Sequence, residues 1–537
     1  MARSTYTEAV EQALDQLERD DVISRIWAKD HTVWKPDPAE ITDRLGWLDV
    51  TAYMATQVES LNKIANDVKA AGIRHVVLLG MGGSSLGPEV LRQVIGSSLG
   101  YPELIVLDST VPAWIRSVSQ AIDPAKSLFI VSSKSGGTIE PNILYRYFRT
   151  LVESAVGHEE AGSHFVAVTD AESALEALAE REGFRKAFIN PSDIGGRYSV
   201  QSFFGLVPAA LAGMDLNRLI QGFDEMASQC RPEVALRENP GAVLGATMAV
   251  MAAQGRDKLT LVASPSISSF GLWAEQLLAE STGKEGRGIV PIADEPLLGS
   301  EAYGNDRLFV HLRMEGENDT EADAKLRLLE EAGHPVVNFD LTDAYDIAAE
   351  FFRGEFATAV AGAILGIQPF DQPNVQQAKD MTDRVLSDYR SSGVKPELEA
   401  LGSLREMLSQ AKPGDYLAIM AYVEQSSETD AAFYSLRQAV MRRYKITTTL
   451  GYGPRFLHST GQLHKGGPDT GLFLQITAPH EEDIAIQSFD FSFGVLADAQ
   501  ASGDLAALVA QGRRAARVIL SPDIAMSIKQ IVTSISS

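Results

Sequence analysis

The chain holds a single cysteine, Cys230, and that excludes an intramolecular disulfide and any multi-cysteine metal or iron–sulfur centre. A reducing compartment fits. Basic residues are scarce as well: 47 lysines and arginines against 71 aspartates and glutamates give a formal net charge of −24. Nucleic acid and anionic membranes call for a basic footprint, so neither is expected as a partner, and an anionic ligand must be caught by a local site. No apolar run reaches the roughly 18 residues of a membrane span. The stretch 1–30 reads as an amphipathic helix, with Ala9, Val10, Ala13, Leu14 and Leu17 at helical spacing, and its acidic residues are unlike a cationic-then-apolar leader. Cytoplasmic is the expected location. Histidine–carboxylate spacings that would make a strong metal site are lacking, so no metal and no organic cofactor is expected.

What is present is ordinary globular material: 537 residues, 45% hydrophobic and 22% charged, too long for one compact core. Apolar, β-branched runs at Val76–Leu79, Leu104–Leu107, Leu128–Val131 and Phe165–Val168 are each followed by a helix-length stretch. That alternation predicts a parallel sheet covered by helices on both faces. A second series follows the helical stretch Leu216–Gln254, with strands expected at Leu259–Val262, Leu308–Leu312 and Val336–Phe339. A helical pattern over Val375–Arg390 and a polar stretch to Pro396 close it. Tyr416–Tyr422, Thr447–Leu450, Leu472–Thr477 and Val518–Leu520 predict a third, smaller unit. The expected organisation is a helical segment 1–55, α/β domains over 56–215 and 216–390, and a C-terminal α/β domain over 391–537.

Two loops stand between an expected strand and an expected helix. Leu79-Gly80-Met81-Gly82-Gly83-Ser84-Ser85-Leu86-Gly87-Pro88 lets backbone approach an anion at a helix start; alone it also fits a dinucleotide loop or a tight turn. Ser132-Ser133-Lys134-Ser135-Gly136-Gly137-Thr138 gathers hydroxyls, a lysine and glycines where a helix opens, a set suited to phosphate; a serine-rich helix cap is the plainer alternative. In an open parallel sheet both loops face one crevice beyond the strand ends.

The Ser-Lys-Ser-Gly-Gly-Thr loop resembles the phosphosugar-binding sugar-isomerase (SIS) domain, and the motifs after it resemble the phosphoglucose isomerase family. Gly195-Gly196-Arg197-Tyr198-Ser199, Glu280-Ser281-Thr282-Gly283-Lys284 and Phe370-Asp371-Gln372 with Lys379 follow in the family's order over about residues 70–385. The segment from Gly453 to Gly467 resembles the end of bacterial chains in which transaldolase is fused ahead of such an isomerase. No transaldolase barrel fits ahead of the isomerase region, so that activity is not expected.

The resemblance implies an α/β fold of two doubly wound SIS-type parallel-sheet domains plus a smaller C-terminal α/β unit. It also implies interconversion of glucose 6-phosphate and fructose 6-phosphate through a cis-enediol, with no cofactor, by a homodimer. It assigns the base to Glu280, enediolate stabilisation to Arg197, and assistance in ring opening to Lys379. Gly83, Ser84, Ser133, Lys134, Ser135, Thr138, Gly196 and Gln372 would bind the sugar phosphate, with Glu140 near it. Without the resemblance, Glu280 and Lys379 read as solvated helix residues, and Arg197 as the partner of an acidic neighbour. One family feature is missing: the histidine that follows the catalytic glutamate, comes from a neighbouring subunit and helps open the ring. Tyr303 or a neighbour stands near its expected place, while His311 reads as a structural strand residue. The Gly451–Gly467 loop carries His458 and His464 among other polar groups, and the expectation is that it closes over the site with one of them in the missing role. A related anionic hexose, such as mannose 6-phosphate or a 6-sulfonated hexose, and a phosphosugar-binding regulator without catalysis remain open alternatives.

Overall fold

A computed structural model describes residues 5–536 as three parallel sheets wrapped by helices. The first sheet holds β1 (His75–Leu79), β2 (Glu103–Leu107), β3 (Ser127–Ser132), β4 (Phe165–Asp170) and β5 (Lys186–Asn190) in the order β2-β1-β3-β4-β5. Its central strands carry apolar residues on both faces because helices cover both; Val77 pairs with Ile105 on one side and Phe129 on the other. The second sheet orders β6 (Lys258–Ala263), β7 (Val290–Ile292), β8 (Arg307–Met314) and β9 (Val336–Leu341) as β7-β6-β8-β9. The third orders β10 (Tyr416–Tyr422), β11 (Thr447–Tyr452), β12 (Gly471–Thr477) and β13 (Arg514–Ile519) as β11-β10-β12-β13. This is the expected α/β class with parallel sheets only.

Several elements differ from the sequence expectation for identifiable reasons. Two edge strands, β5 and β7, were not expected: β5 buries only Phe188 and Asn190 fully, and β7 is three residues long with a central proline. β13 begins four residues before the expected Val518. Its polar Arg517 hides its charge by donating to Gln475 Oε1 at 2.6 Å, so the strand lacks a continuous apolar signal. The stretch 1–30 is two helices, Thr5–Arg19 and Val22–Trp27, joined at Asp21 in the left-handed region (φ 51°); residues 1–4 lie outside the described residues. Among the described residues no helix is long and apolar enough to cross a membrane.

The N-terminal segment packs on the second unit. Trp27 lies 6.3 and 6.1 Å from the Phe352 and Phe356 rings, and Trp34 Nε1 donates to Ala359 O at 2.8 Å, all on the helix Ile347–Leu365. The C-terminal unit is wedged against both others. Its helix Phe493–Ala510 runs along Val375–Ser392, and Leu386, Phe491, Phe493 and Leu496 share a core with Val77, Phe129 and Phe148 of the first sheet. Arg437 donates to the carbonyls of Ala293 (2.9 Å) and Asp294 (2.8 Å) in the second unit.

The first sheet's strand order reverses between β1 and β3, so the loops leaving those strands diverge and open a crevice. The floor of that crevice is backbone against backbone. A Cβ on Gly83 would stand 2.0 Å from Gly196 O, and one on Gly82, itself at φ +54°, would stand 2.7 Å from His458 O.

Candidate active site

β3 delivers the hydroxyl-rich turn, and the 18-residue helix Ile139–Val156 begins where it ends, leaving first-turn N–H groups without intrahelical partners. The turn is shaped by its own bonds: Gly137 N donates to Ser135 Oγ at 3.2 Å, and Asn142 Nδ2 donates to Gly136 O at 3.0 Å and Thr138 O at 2.9 Å. Gly136 sits at φ +67° with Leu175 N where a Cβ would be, so no other residue fits without strain. Lys134 Nζ is tied to Asp170 (2.6 Å) and to Ser192 O (2.7 Å). Burial pushes the Asp170 carboxyl upward against the pull of that lysine.

Opposite the turn stands Glu280, near the end of the buried helix Phe270–Thr282 from the second unit. Its Oε2 accepts from Gln276 Nε2 at 3.1 Å and lies 3.5 Å from Arg197 Nη1. Arg197, only 3% exposed, is held by four further bonds: Nε to Ser281 Oγ (2.8 Å), Nη1 to Gln372 Oε1 (2.8 Å), and Nη2 to Pro369 O (2.7 Å) and Asp371 O (3.0 Å). A guanidinium fixed this way is a permanent positive charge with no freedom to swing away. Its acidic neighbour is Glu280, while its hydrogen bonds go to neutral acceptors beside the crevice.

Lys284 holds the same segment from below. Its Nζ donates to Gln368 O (2.7 Å), Asp371 O (2.5 Å) and the Asp371 carboxylate. Burial, reinforced by the Arg197 charge and opposed by Asp371, pushes its ammonium down to about 7. Lys284→Met is therefore expected to loosen residues 368–372 and with them Gln372. Steady-state kinetics should show KM raised about tenfold, the scale of one charge-assisted hydrogen bond, with kcat changed much less.

The C-terminal unit reaches into the crevice. His458 Nε2 lies 3.0 Å from Glu140 Oε1, and Gln500 Nε2 donates to the same oxygen at 2.7 Å. Burial alone would raise the Glu140 pKa, but His458, the residue's own backbone N–H and Lys379 outweigh it, and the carboxyl is held below its ordinary value.

The crevice holds about 520 Å³ and is lined by Gly83, Ser84, Lys134, Ser135, Thr138, Gly196, Arg197, Glu280, Gln372, Lys379 and His458 from the sequence expectation. Ser133 is buried behind the turn, its hydroxyl 3.4 Å from Thr138 Oγ1. Glu140 lines an adjoining chamber of about 170 Å³ that shares Thr138, Lys379 and His458 with the crevice. Two candidates are elsewhere. Tyr303 packs against Phe309 and His334 in the second unit, its hydroxyl bonded to Leu298 N and Pro296 O. His464 lies between the Phe456 and Phe473 rings, where burial drives its pKa well below the ordinary value. The 451–467 segment is no open flap: Arg455–His458 is a tight turn, Gly461–Gly466 a short helix, and Arg455, Gln462, His464 and Lys465 are buried.

Arg44, Asp170, Ser173, Gln276 and Gln500 went unnoticed in the sequence. Gln276 had a usable signal, one helical turn before Glu280 and so on the same face. Gln500 had none, since nothing in the sequence marks one glutamine of an apolar helix as facing another domain's carboxylate.

A hydroxyl-and-amide turn at a sheet switch point, faced by a carboxylate and a fixed guanidinium, is an architecture suited to holding a tetrahedral anion beside an acid–base group in an α/β protein. The family model for phosphoglucose isomerase matches residues 47–288. Glucose-6-phosphate isomerases of Parabacteroides distasonis (27% identical over 407 residues) and Staphylococcus saprophyticus (29% over 405) each align with 67% of this chain and 90% of their own length. Among solved structures, a Thermus thermophilus protein described as hypothetical superposes with a TM-score of 0.60 at 26% identity, over 72% of this chain and 98% of its own. A glucose-6-phosphate isomerase from Chlamydia trachomatis gives 0.61 at 18% identity, over 71% and 86%, and shares the fold.

Proposed function

We propose that this chain interconverts glucose 6-phosphate and fructose 6-phosphate, and the observation that carries the reading is the Glu280–Arg197 pair facing the 133–138 turn across one crevice. The sugar's 6-phosphate sits against Ser135, Thr138 and the N–H groups of the turn. Glu280 takes the proton from C2 of the open-chain aldose. Negative charge then grows on the carbonyl oxygen, and Arg197 offsets it without reorganising, because its bonds are already made. A proton passes from O2 to O1 across the cis-enediolate, Glu280 returns its proton to C1, and the ketose is left. Gln372, fixed through its Oε1 by Arg197, presents its amide N–H groups to the sugar hydroxyls.

Both hexoses are cyclic in water, so a ring must open first. His458, paired with Glu140 and lining the crevice, is placed to donate a proton to the ring oxygen, and the exposed Lys379 lies beside it. The histidine role missing between Glu280 and His311 is in this reading filled from the C-terminal unit of the same chain. Cytoplasmic location and assembly as a homodimer belong to the reading too; sedimentation equilibrium checks the second, with twice the 58.0 kDa of the chain expected.

The test is a coupled assay of the purified protein, without added metal, on glucose 6-phosphate, fructose 6-phosphate, mannose 6-phosphate and a 6-sulfonated hexose. Turnover of the first pair well above the others is expected. Preference for the sulfonate or mannose ester would reassign the substrate, since a turn of hydroxyls and N–H donors accepts any tetrahedral anion. Binding without turnover across the panel would make the chain a phosphosugar sensor.

A further inference from the structure

Glu140 Oε1 is the shared acceptor of two donors, and both come from the C-terminal unit: His458 Nε2 at 3.0 Å and Gln500 Nε2 at 2.7 Å. Gln500 is itself oriented. Thr110 Oγ1, at the end of the first sheet's β2, donates to Gln500 Oε1 at 2.8 Å, and the two residues are 0% and 4% exposed. Reversing the amide would turn its oxygen toward the Glu140 carboxylate, so only one orientation is tolerated. A buried line Thr110–Gln500–Glu140–His458 thus crosses from the first unit to the third, returns, and ends in the crevice.

We propose that Gln500, gripped by Thr110, is a positioning residue for ring opening: its N–H holds Glu140 ionised, and the ionised Glu140 holds His458 with its proton on Nε2. The inference rests on the isomerase reading above and adds to it a dependence of the site on the seating of the C-terminal unit. Both Gln500 and His458 lie outside the 47–288 stretch that the family model matches.

The chemistry follows from the partners. A carboxylate that accepts two hydrogen bonds favours its charged form, and loss of either bond lets it protonate more readily. Once Glu140 is neutral, its proton competes for the place of the His458 N–H, and the imidazole loses its orientation. The other charged or titratable groups near Glu140 are Lys379, the buried Tyr422 and, around the adjoining chamber, Lys465 and Asp383. Lys465 is already committed to Asp504 at 2.6 Å.

Ring opening can be followed apart from isomerisation as exchange between the α and β anomers of glucose 6-phosphate. The full-length Glu280→Gln protein, which lacks the base, is compared with the same protein carrying Gln500→Leu or Thr110→Val, using two-dimensional exchange NMR across pH 4.5–8. The sign is set by Glu140: with a donor lost its pKa rises, so the acid limb of the exchange rate moves toward neutral pH. A shift of roughly one unit is expected for Gln500→Leu, with exchange slower by about two- to fivefold at pH 4.5 and little change above pH 7.5. Thr110→Val, nearly isosteric and so the safer fold, should shift the limb in the same direction by less. An unmoved limb in the folded variants overturns the proposal, as does a uniform loss at every pH, or no exchange above buffer in the Glu280→Gln parent. Failure of the isomerase reading is separate and shows as an unsubstituted protein inactive on all hexose 6-phosphates.

Discussion

Glu280→Gln is expected to lower kcat for both hexose 6-phosphates by about 10³-fold while leaving KM within a few-fold. The amide keeps the size of the side chain and can still accept from Gln276, so the buried helix Phe270–Thr282 has no reason to move. What is lost is the carboxylate beside Arg197 that the proposed reaction uses to take a proton from carbon. The phosphate turn, Gln372 and Arg197 remain, so binding persists, and a mutation that lowers kcat and kcat/KM together is the signature of an interaction used in the transition state. Steady-state rates in both directions, with circular dichroism to establish folding, are the measurements. A loss under tenfold would remove Glu280 from the role of base.

Arg455→Met is expected to destabilise the folded chain by about 3–5 kcal/mol. Arg455 forms a two-pronged pair with Asp108, Nε to Oδ2 and Nη2 to Oδ1, both 2.8 Å, and Asp108 is 0% exposed. Ser85 Oγ also donates to that carboxylate at 3.1 Å, and Trp114 lies 5.2 Å from the guanidinium. Removing the arginine strands a charge in the interface between the first and third units. Asp108→Leu with Arg455→Met removes both charges together and is expected to recover most of the loss, because two apolar groups can share the space. Urea melts of the single and double variants decide it; equal stability of the two would mean that the pair contributes no specific interaction. Arg455 also opens the turn that carries His458, so the single variant should lose ring-opening activity before it unfolds.

The α/β class and parallel sheets were legible because buried strands announce themselves: Leu128–Val131 and Phe165–Val168 are apolar on both faces and bounded by turn residues. Strands that compromise were not. Arg517 sits in β13 with its charge satisfied by Gln475, and the partner that makes this tolerable comes from β12. Candidate site residues were legible where the chemistry sits in a short motif, as in the 133–138 turn or at Glu280 through Lys284. The two histidines of the C-terminal segment could not be told apart, since His458 and His464 are six residues apart in one polar stretch. Only packing puts His464 between aromatic rings and His458 on Glu140.

By itself the sequence determined the class of fold and the hydroxyl-rich turn at the start of a helix, because each depends on residue types at short spacing. Tertiary structure decided which side chains share one crevice. Arg197, Glu280, Gln372 and His458 meet there, and His458 reaches Glu140 in the adjoining chamber across 318 positions of chain; no local pattern encodes that convergence. It is set by how the third unit packs: Arg455 on Asp108, Arg437 on the 293–294 carbonyls, and an apolar core shared with the first sheet. Those are long-range contacts, stable only once all three units are folded against one another.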